Sequence, residues 1–337
     1  MDVRHSPEQV ALRDSVRQAV DRLGVTSVGQ LDDAERAAKL DAAVGEAGWR
    51  ELRTAADDAG APWASAVEVA IVAEALARGL ADAPFLGATL AAELRRLAGA
   101  PEALGPETVA LRPDLSAPAS PEDAAVALDA FGEADALVLV PADGGWTLAA
   151  VPVTGRGTCT DLTRPTAPVA TAGASPVEGA GVLGDAELAR WTALGLALTT
   201  ADLVGTMDGA TALSVDYARE RQQYGKAIGS FQAVQHLLAD AAVHAEGSRS
   251  AALHAAWAVD ALAPADALAA AATAKAYASR AALAVGEIAI QVHGGIGNTW
   301  ECLAHVYLRR ALLSTDVLGG VGPNLDRVLE HAGIGAA

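Results

Sequence analysis

From Asp185 to His293 the chain carries a helical pattern with only two interruptions, and this limits its possible folds more than any other feature. Apolar residues three and four apart place one helix from about Asp185 to Gln223, a second from Ser230 to Ala263 and a third from Pro264 to His293. In the second, Phe231, Val234, Leu237, Leu238 and Ala241 share one face, and a last helix pair follows Asn298. Alanine-rich faces let helix axes come close, so segments of this length bury one another in a bundle.

The preceding half divides in two. Ser6, Pro7 and Glu8 read as N-cap, N1 proline and acidic first turn of an amphipathic helix through Val10, Leu12, Val16 and Val20. Helical spacing recurs over 33–50, 63–79 and 86–99, broken by Gly60, Pro62 and Pro84. From Pro101 prolines and glycines cluster, and short β-prone runs appear at 136–141, 146–153 and 166–171, with Asp143-Gly144-Gly145 as a tight turn between the first two. The expected architecture is mostly α with a small central β-domain: a helical domain over 1–104, a reduced β-domain over 105–184 and a helical bundle over 185–337.

With 337 residues, 52% of them hydrophobic, the chain can bury a large core without staples. A formal charge of −18 repels nucleic acid and anionic membranes, so any anionic ligand needs a local basic or amide-rich site. Cys159 and Cys302 stand far apart and suggest neither a disulfide framework nor a thiolate metal site, and the histidines form no cluster with acids, so no metal is expected. The N-terminus lacks an apolar leader pattern and no segment offers about 20 uninterrupted apolar residues, so a protein of the cytoplasm without membrane insertion is expected.

The local basic site is "YARERQQYGKAIGSFQ", which gathers Arg219, Arg221, Gln222, Gln223, Tyr224, Lys226 and Gln232 around one break between helices. Taken alone, two arginines near a helix end complement its dipole. Gly294, Gly295 and Gly297 similarly read as a helix C-terminus and turn, not a dinucleotide fingerprint, because a helix precedes them. Lys275 and Tyr277 lie in an alanine-rich helix and are expected on an exposed or inter-subunit edge. His293 and Trp300 are expected to pack, with Glu301 in a first helical turn.

Together, "ARERQQYGKAIGSFQAVQHLLAD" (218–240) and "QVHGGIGNTWECLAHVYLRRA" (291–311) resemble the two C-terminal signatures of the acyl-CoA dehydrogenases, and the domain order resembles theirs over the whole chain. The resemblance implies FAD, an acyl-CoA thioester substrate, α,β-dehydrogenation and an electron-transferring flavoprotein as acceptor. In that family these motifs hold the ADP half of a neighbouring subunit's FAD. Carried over, Arg221 pairs with the pyrophosphate, Tyr224 and Gln232 flank it, and Gln291, Gly294 and Gly295 approach the adenosine side. A guanidinium fork suits phosphate oxygens and a helix N-terminus favours an anion, which agrees with the assignment. Arg219 stays open between ligand contact and surface charge.

Two family features are missing. The threonine-rich flavin loop and Trp-Ile-Thr type strand do not occur between 101 and 184. Gap-free comparison puts Arg309 on the conserved arginine and Leu318 on the catalytic glutamate; the family's alternative glutamate position, on the first bundle helix, falls near Gly195. Neither residue accepts a proton. Asp316 is two residues from Leu318, and Glu187 is about 12 Å along the helix from Gly195. The chain therefore resembles the shorter, degenerate subunit of heteromeric α2β2 acyl-CoA dehydrogenases, whose longer homologous partner supplies base and flavin-ring contacts for bulky substrates such as steroid-type thioesters. The alternatives are a self-sufficient homomeric enzyme with Asp316 as base, and a flavin-free architectural or CoA-binding protein.

Overall fold

The computed structural model describes residues 4–335 except 58, 122, 156 and 158. Four helices come first: α1 (Pro7–Leu23), α2 (Ala34–Glu46), α3 (Ala66–Arg78) and α4 (Leu86–Leu97). Ser6 caps α1 in a reciprocal capping box with Gln9, and Ser65 does the same for α3 with Glu68.

A six-stranded sheet follows, with β1 (Glu107–Leu111), β2 (Ala125–Ala127), β3 (Ala134–Ala142), β4 (Gly145–Val153), β5 (Ala167–Val169) and β6 (Ser175–Pro176) in the order β5-β2-β1-β3-β4-β6. β1 and β3 are parallel and the other neighbours antiparallel. β3 and β4 form a hairpin closed at the Ala142–Gly145 pair, where Gly144 has φ +83°. β1 and β2 are strands that the apolar runs did not flag. Each spans at most five residues, too short for alternation to stand out.

The bundle comprises α5 (Asp185–Glu220), α6 (Gln232–Ala261), α7 (Pro264–His293), α8 (Ala304–Asp316) and α9 (Val321–His331). The 36-residue α5 is the central element, buried almost without a break from Ala193 to Met207 because α3 covers one side and α6, α7 and α8 the other. Glycine permits the α3 contact: a Cβ at Gly205 would lie 2.0 Å from the Glu74 carbonyl oxygen, inside van der Waals distance. α5 stops three residues before the expected Gln223, since Arg221 is extended and a short hairpin begins at Gln222. On α6, Phe231, Val234, Leu237 and Leu238 are only half-buried, and burial becomes complete at Ala241.

Candidate functional site

All six residues expected to contact a cofactor lie at one end of the bundle. α5 and α7 run parallel and α6 antiparallel to them, so the α5 C-terminus, the α6 N-terminus and the α7 C-terminus share that end. Tyr217 and His293 join them, their rings stacked at 4.4 Å and 25°. His293 Nδ1 lies 2.8 Å from the Ala289 carbonyl, and burial pushes the imidazole pKa down, so it is a packing group as expected.

Beyond α5, Gln222–Gln223 (β7) pairs with Lys226–Ala227 (β8), leaving Tyr224 and Gly225 as a two-residue tip with φ of +54° and +78°. Two positive φ values match the twist of a tight hairpin, but a left-handed tyrosine is unfavourable. The residue is 93% exposed, and its ring meets the Phe231 ring edge-on at a centroid distance of 6.2 Å. Lys226 Nζ sits 4.4 Å from the Phe231 ring centre. The backbone of Arg221 is fixed by its N–H to Tyr217 O and by Ile228 N–H to its own carbonyl, both 2.8 Å, while its exposed side chain has no protein partner among the described residues. α6 opens with Gln232 exposed and no side-chain cap on its first turn. Gln291 is exposed, and Gly294, at φ +63°, ends α7 by donating to Ile290 O and Gln291 O.

The two family positions for the base form one place. A Cβ added to Gly195 would lie 2.2 Å from Leu318 Cδ1 and 3.4 Å from Leu90 Cδ2. Leu318 is 1% exposed and fills the space a carboxylate would need. Its turn is held from four sides. Leu318 N–H donates to Leu115 O at 2.7 Å, Arg327 Nη1 donates to Leu318 O at 2.7 Å, and Asn324 Nδ2 donates to the Gly319 and Gly320 carbonyls at 2.6 and 2.9 Å. Lys275 Nζ donates to Val317 O at 2.8 Å and also to Ser314 O. Asp316 is exposed at the end of α8, its carboxyl pushed up by partial desolvation and pulled back by Lys275. Glu187 accepts the Gly184 N–H at 3.0 Å as a cap of its own helix.

Sequence reasoning missed a buried ionic cluster. Arg310 donates to Asp202 Oδ2 from Nε and Nη2 at 3.2 and 2.6 Å, and from Nη1 to Ala81 O and Thr163 Oγ1 at 3.0 and 2.9 Å. Arg164 donates to Asp161 Oδ2 at 2.9 Å and to Ser314 Oγ, which itself donates to Asp202 Oδ1 at 2.6 Å. Burial disfavours the Asp202 carboxylate, but Arg164 and Arg310 outweigh it and hold its pKa below the usual range. A lone acid in the apolar run "LALTTADLVG" was the available signal, since a buried carboxylate needs a cation. Lys275 is wholly buried, correcting its expected exposure, and burial lowers its pKa to about 7. Arg309 is half-exposed and Arg310 buried; Arg309 lies 5.9 Å from the ring of Trp300, which is 64% exposed instead of packed. Glu301 is exposed, and no group of metal ligands occurs among the described residues.

Comparison with known proteins fits this arrangement. Residues 193–322 match the family described as acyl-CoA dehydrogenase, C-terminal domain. The acyl-CoA dehydrogenase IpdE2 of Mycolicibacterium smegmatis is 33% identical over 270 residues, which cover 77% of each chain. The chain belongs to the acyl-CoA dehydrogenase family. Acyl-CoA dehydrogenase FadE34 of Mycobacterium tuberculosis is 39% identical over 209 residues, but the match spans only 29% of that protein's length. Among solved structures, a chain of the ChsE4–ChsE5 complex from Mycobacterium tuberculosis superposes with a TM-score of 0.78 over 100% of both chains at 23% identity. The Tcur3481–Tcur3483 steroid ACAD G363A variant also reaches 0.78, over 97% of this chain and 98% of its own, at 23% identity. These structures share the acyl-CoA dehydrogenase fold. No helix among the described residues is long and apolar enough to cross a membrane.

Proposed function

We propose that this chain is an FAD-holding, non-catalytic subunit of a heteromeric acyl-CoA dehydrogenase. One observation carries the reading: the two positions where the family places its glutamate touch each other, and Leu318 fills the space between them. A base must come within hydrogen-bond reach of its proton. Asp316 is exposed at the end of α8, whereas the Gly195–Leu318 space is buried, which disfavours the homomeric reading. A longer homologous partner supplies the glutamate and the flavin-ring contacts, in an α2β2 assembly. The structural neighbours named as a Tcur3481–Tcur3483 steroid ACAD and as the ChsE4–ChsE5 complex favour a two-chain assembly and a bulky, steroid-type acyl-CoA.

The donor set at the open end of the bundle fits the ADP half of FAD. Arg221 offers a guanidinium fork with no partner among the described residues, and the first turn of α6, which has no side-chain cap, offers N–H groups beside Gln232. A Cβ at Gly295 would meet no atom of the described residues within 4 Å, so backbone there is open to a close-approaching ligand. Tyr224 keeps a left-handed backbone with its ring in solvent, an arrangement that contact with a ligand or partner would repay. FAD, when bound, supplies the hydride acceptor, and an electron-transferring flavoprotein takes its electrons. Within this scheme the segments 1–104, 105–184 and 185–337 act as helical domain, reduced β-domain and cofactor-contacting bundle.

The test is to produce the chain alone and together with a longer acyl-CoA dehydrogenase homologue from the same genome, then measure flavin absorbance and dehydrogenase activity. The proposal requires both to depend on the pair, and Arg221→Ala to lower the flavin content of the co-purified complex. A pure single chain with stoichiometric flavin and activity overturns it, and unchanged flavin in Arg221→Ala favours the flavin-free reading.

A further inference from the structure

The ionic cluster leaves two opposite charges unfinished. Asp129, on the turn between β2 and β3, uses Oδ2 to accept the Gly87 N–H at 2.9 Å, capping the first turn of α4 from outside the helix. Its Oδ1 has no hydrogen-bond partner although the residue is 4% exposed. Arg164 satisfies Asp161 and Ser314, but its Nη1 is also buried without a hydrogen bond, lying 3.5 Å from Asp202 Oδ2 in poor geometry. Both residues line one small cavity, together with Asp202, Arg310 and apolar side chains that include Leu76 of α3, Leu86 of α4 and Leu198 of α5. No hydrogen bond or ion pair joins Asp129 to Arg164 among the described residues. Each nevertheless feels the other: the Arg164 charge is the largest influence opposing the upward push of burial on Asp129.

An orphaned acceptor and an orphaned donor on two residues that line the same cavity need a third group able both to donate and to accept. The cavity leaves about 10 Å³ for a water-sized centre, which is about one molecule. A metal ion would meet Arg164 and Arg310 as repelling neighbours, and a chloride would meet Asp129 and Asp202; neutral water suits both signs. We infer that this cavity is a binding site for one internal water that accepts from Arg164 Nη1 and donates to Asp129 Oδ1, with Asp202 available to its second hydrogen. Asp129 and Arg164 are then a water-separated ion pair, and the water ties the α4 N-terminus to the bundle through Arg164 and Ser314.

Two measurements decide this. In a crystal structure fine enough to resolve ordered solvent, one peak lies within hydrogen-bonding distance of both Asp129 Oδ1 and Arg164 Nη1. An empty cavity, a direct Asp129–Arg164 contact, or a peak with ion coordination in its place overturns the inference. In solution, oxygen-17 relaxation dispersion should count one fewer long-lived water in Asp129→Leu than in the unaltered protein, while Asp129→Asn, which keeps an acceptor, retains it. An equal count in an Asp129→Leu variant that circular dichroism finds folded also overturns it; should that variant not fold, the crystallographic result decides.

Discussion

If Gly195 and Leu318 share one space, their substitutions must be strongly coupled. Leu318→Ala removes a side chain that is 1% exposed and leaves a cavity, since neighbouring carbonyls are pinned by Lys275, Arg327 and Asn324 and the turn cannot easily collapse. The expected loss is about 2–5 kcal/mol. An unfolding entropy of about 2.1 cal/mol/K per residue gives roughly 0.7 kcal/mol/K for the whole chain, so Tm falls by about 3–7 °C. Gly195→Ala places a methyl 2.2 Å from Leu318 Cδ1, an overpacking cost of about 1–3 kcal/mol. Alanine's better helix propensity offsets about 1 kcal/mol of that. In the Leu318→Ala background the added methyl enters the vacated space, so the same Gly195→Ala change becomes neutral or stabilising. Urea unfolding of the four proteins in the double-mutant cycle should therefore yield a coupling of about 1–3 kcal/mol. Additivity within about 0.5 kcal/mol would mean that the two positions do not touch and that Leu318 does not fill the space beside Gly195.

Asp202→Ala strands Arg310 and Arg164 without their shared carboxylate; breaking such a buried pair costs about 3–5 kcal/mol, read as a Tm lowered by about 4–7 °C. Lys275 has its pKa lowered by burial from 10.5 to about 7. Within that window the unfolded chain holds a proton that the folded chain lacks, so stability rises with pH across it. Lys275→Met should remove this contribution in urea titrations at pH 7, 8 and 9, and an unchanged slope would refute a buried amine of lowered pKa. Tyr224→Gly relieves a left-handed φ of +54°, so stability rises by about 1 kcal/mol in thermal melts while flavin retention by the co-purified complex falls. A stabilised variant with undiminished flavin would remove Tyr224 from the cofactor contacts.

The helices were legible because their signals are local and repeated: apolar spacing over 30 or more residues in the bundle, a proline at the start of α7 and a serine cap on α1. Short strands such as β1 and β2 owe their conformation to neighbours in the sheet, which no local pattern encodes. The same distinction separates the two sites. Arg221, Tyr224, Gln232, Gln291, Gly294 and Gly295 could be proposed from sequence because they fall in two contiguous motifs. Lys275 was misplaced and Arg310 passed unnoticed because their partners are remote in sequence: Lys275 bonds carbonyls about 40 residues later, and Arg310 bonds Asp202, 108 residues earlier. For a long cation, composition alone favours a surface position. Only the fold reveals that carbonyls and carboxylates wait for it inside.

Where the chain accepts unfavourable local states also bears on its role. Leu318 and Tyr224 both hold left-handed backbone, at φ +59° and +54°. At Leu318 the compensation is visible: the side chain is buried, and the turn's carbonyls have donors from α7 and α9. At Tyr224 the ring stands in solvent, and the tip residue is supported by little beyond the edge of Phe231. A strained residue persists when surrounding contacts over-determine it, and for Tyr224 the chain itself provides few. The interior position is thus closed and complete, whereas the exposed end of the bundle still presents free donors and an unsupported aromatic ring. That asymmetry is expected of a subunit whose contacts serve a site shared with a neighbour, and it predicts that complex formation protects the 222–227 hairpin amides from hydrogen exchange while leaving the Leu318 turn unchanged.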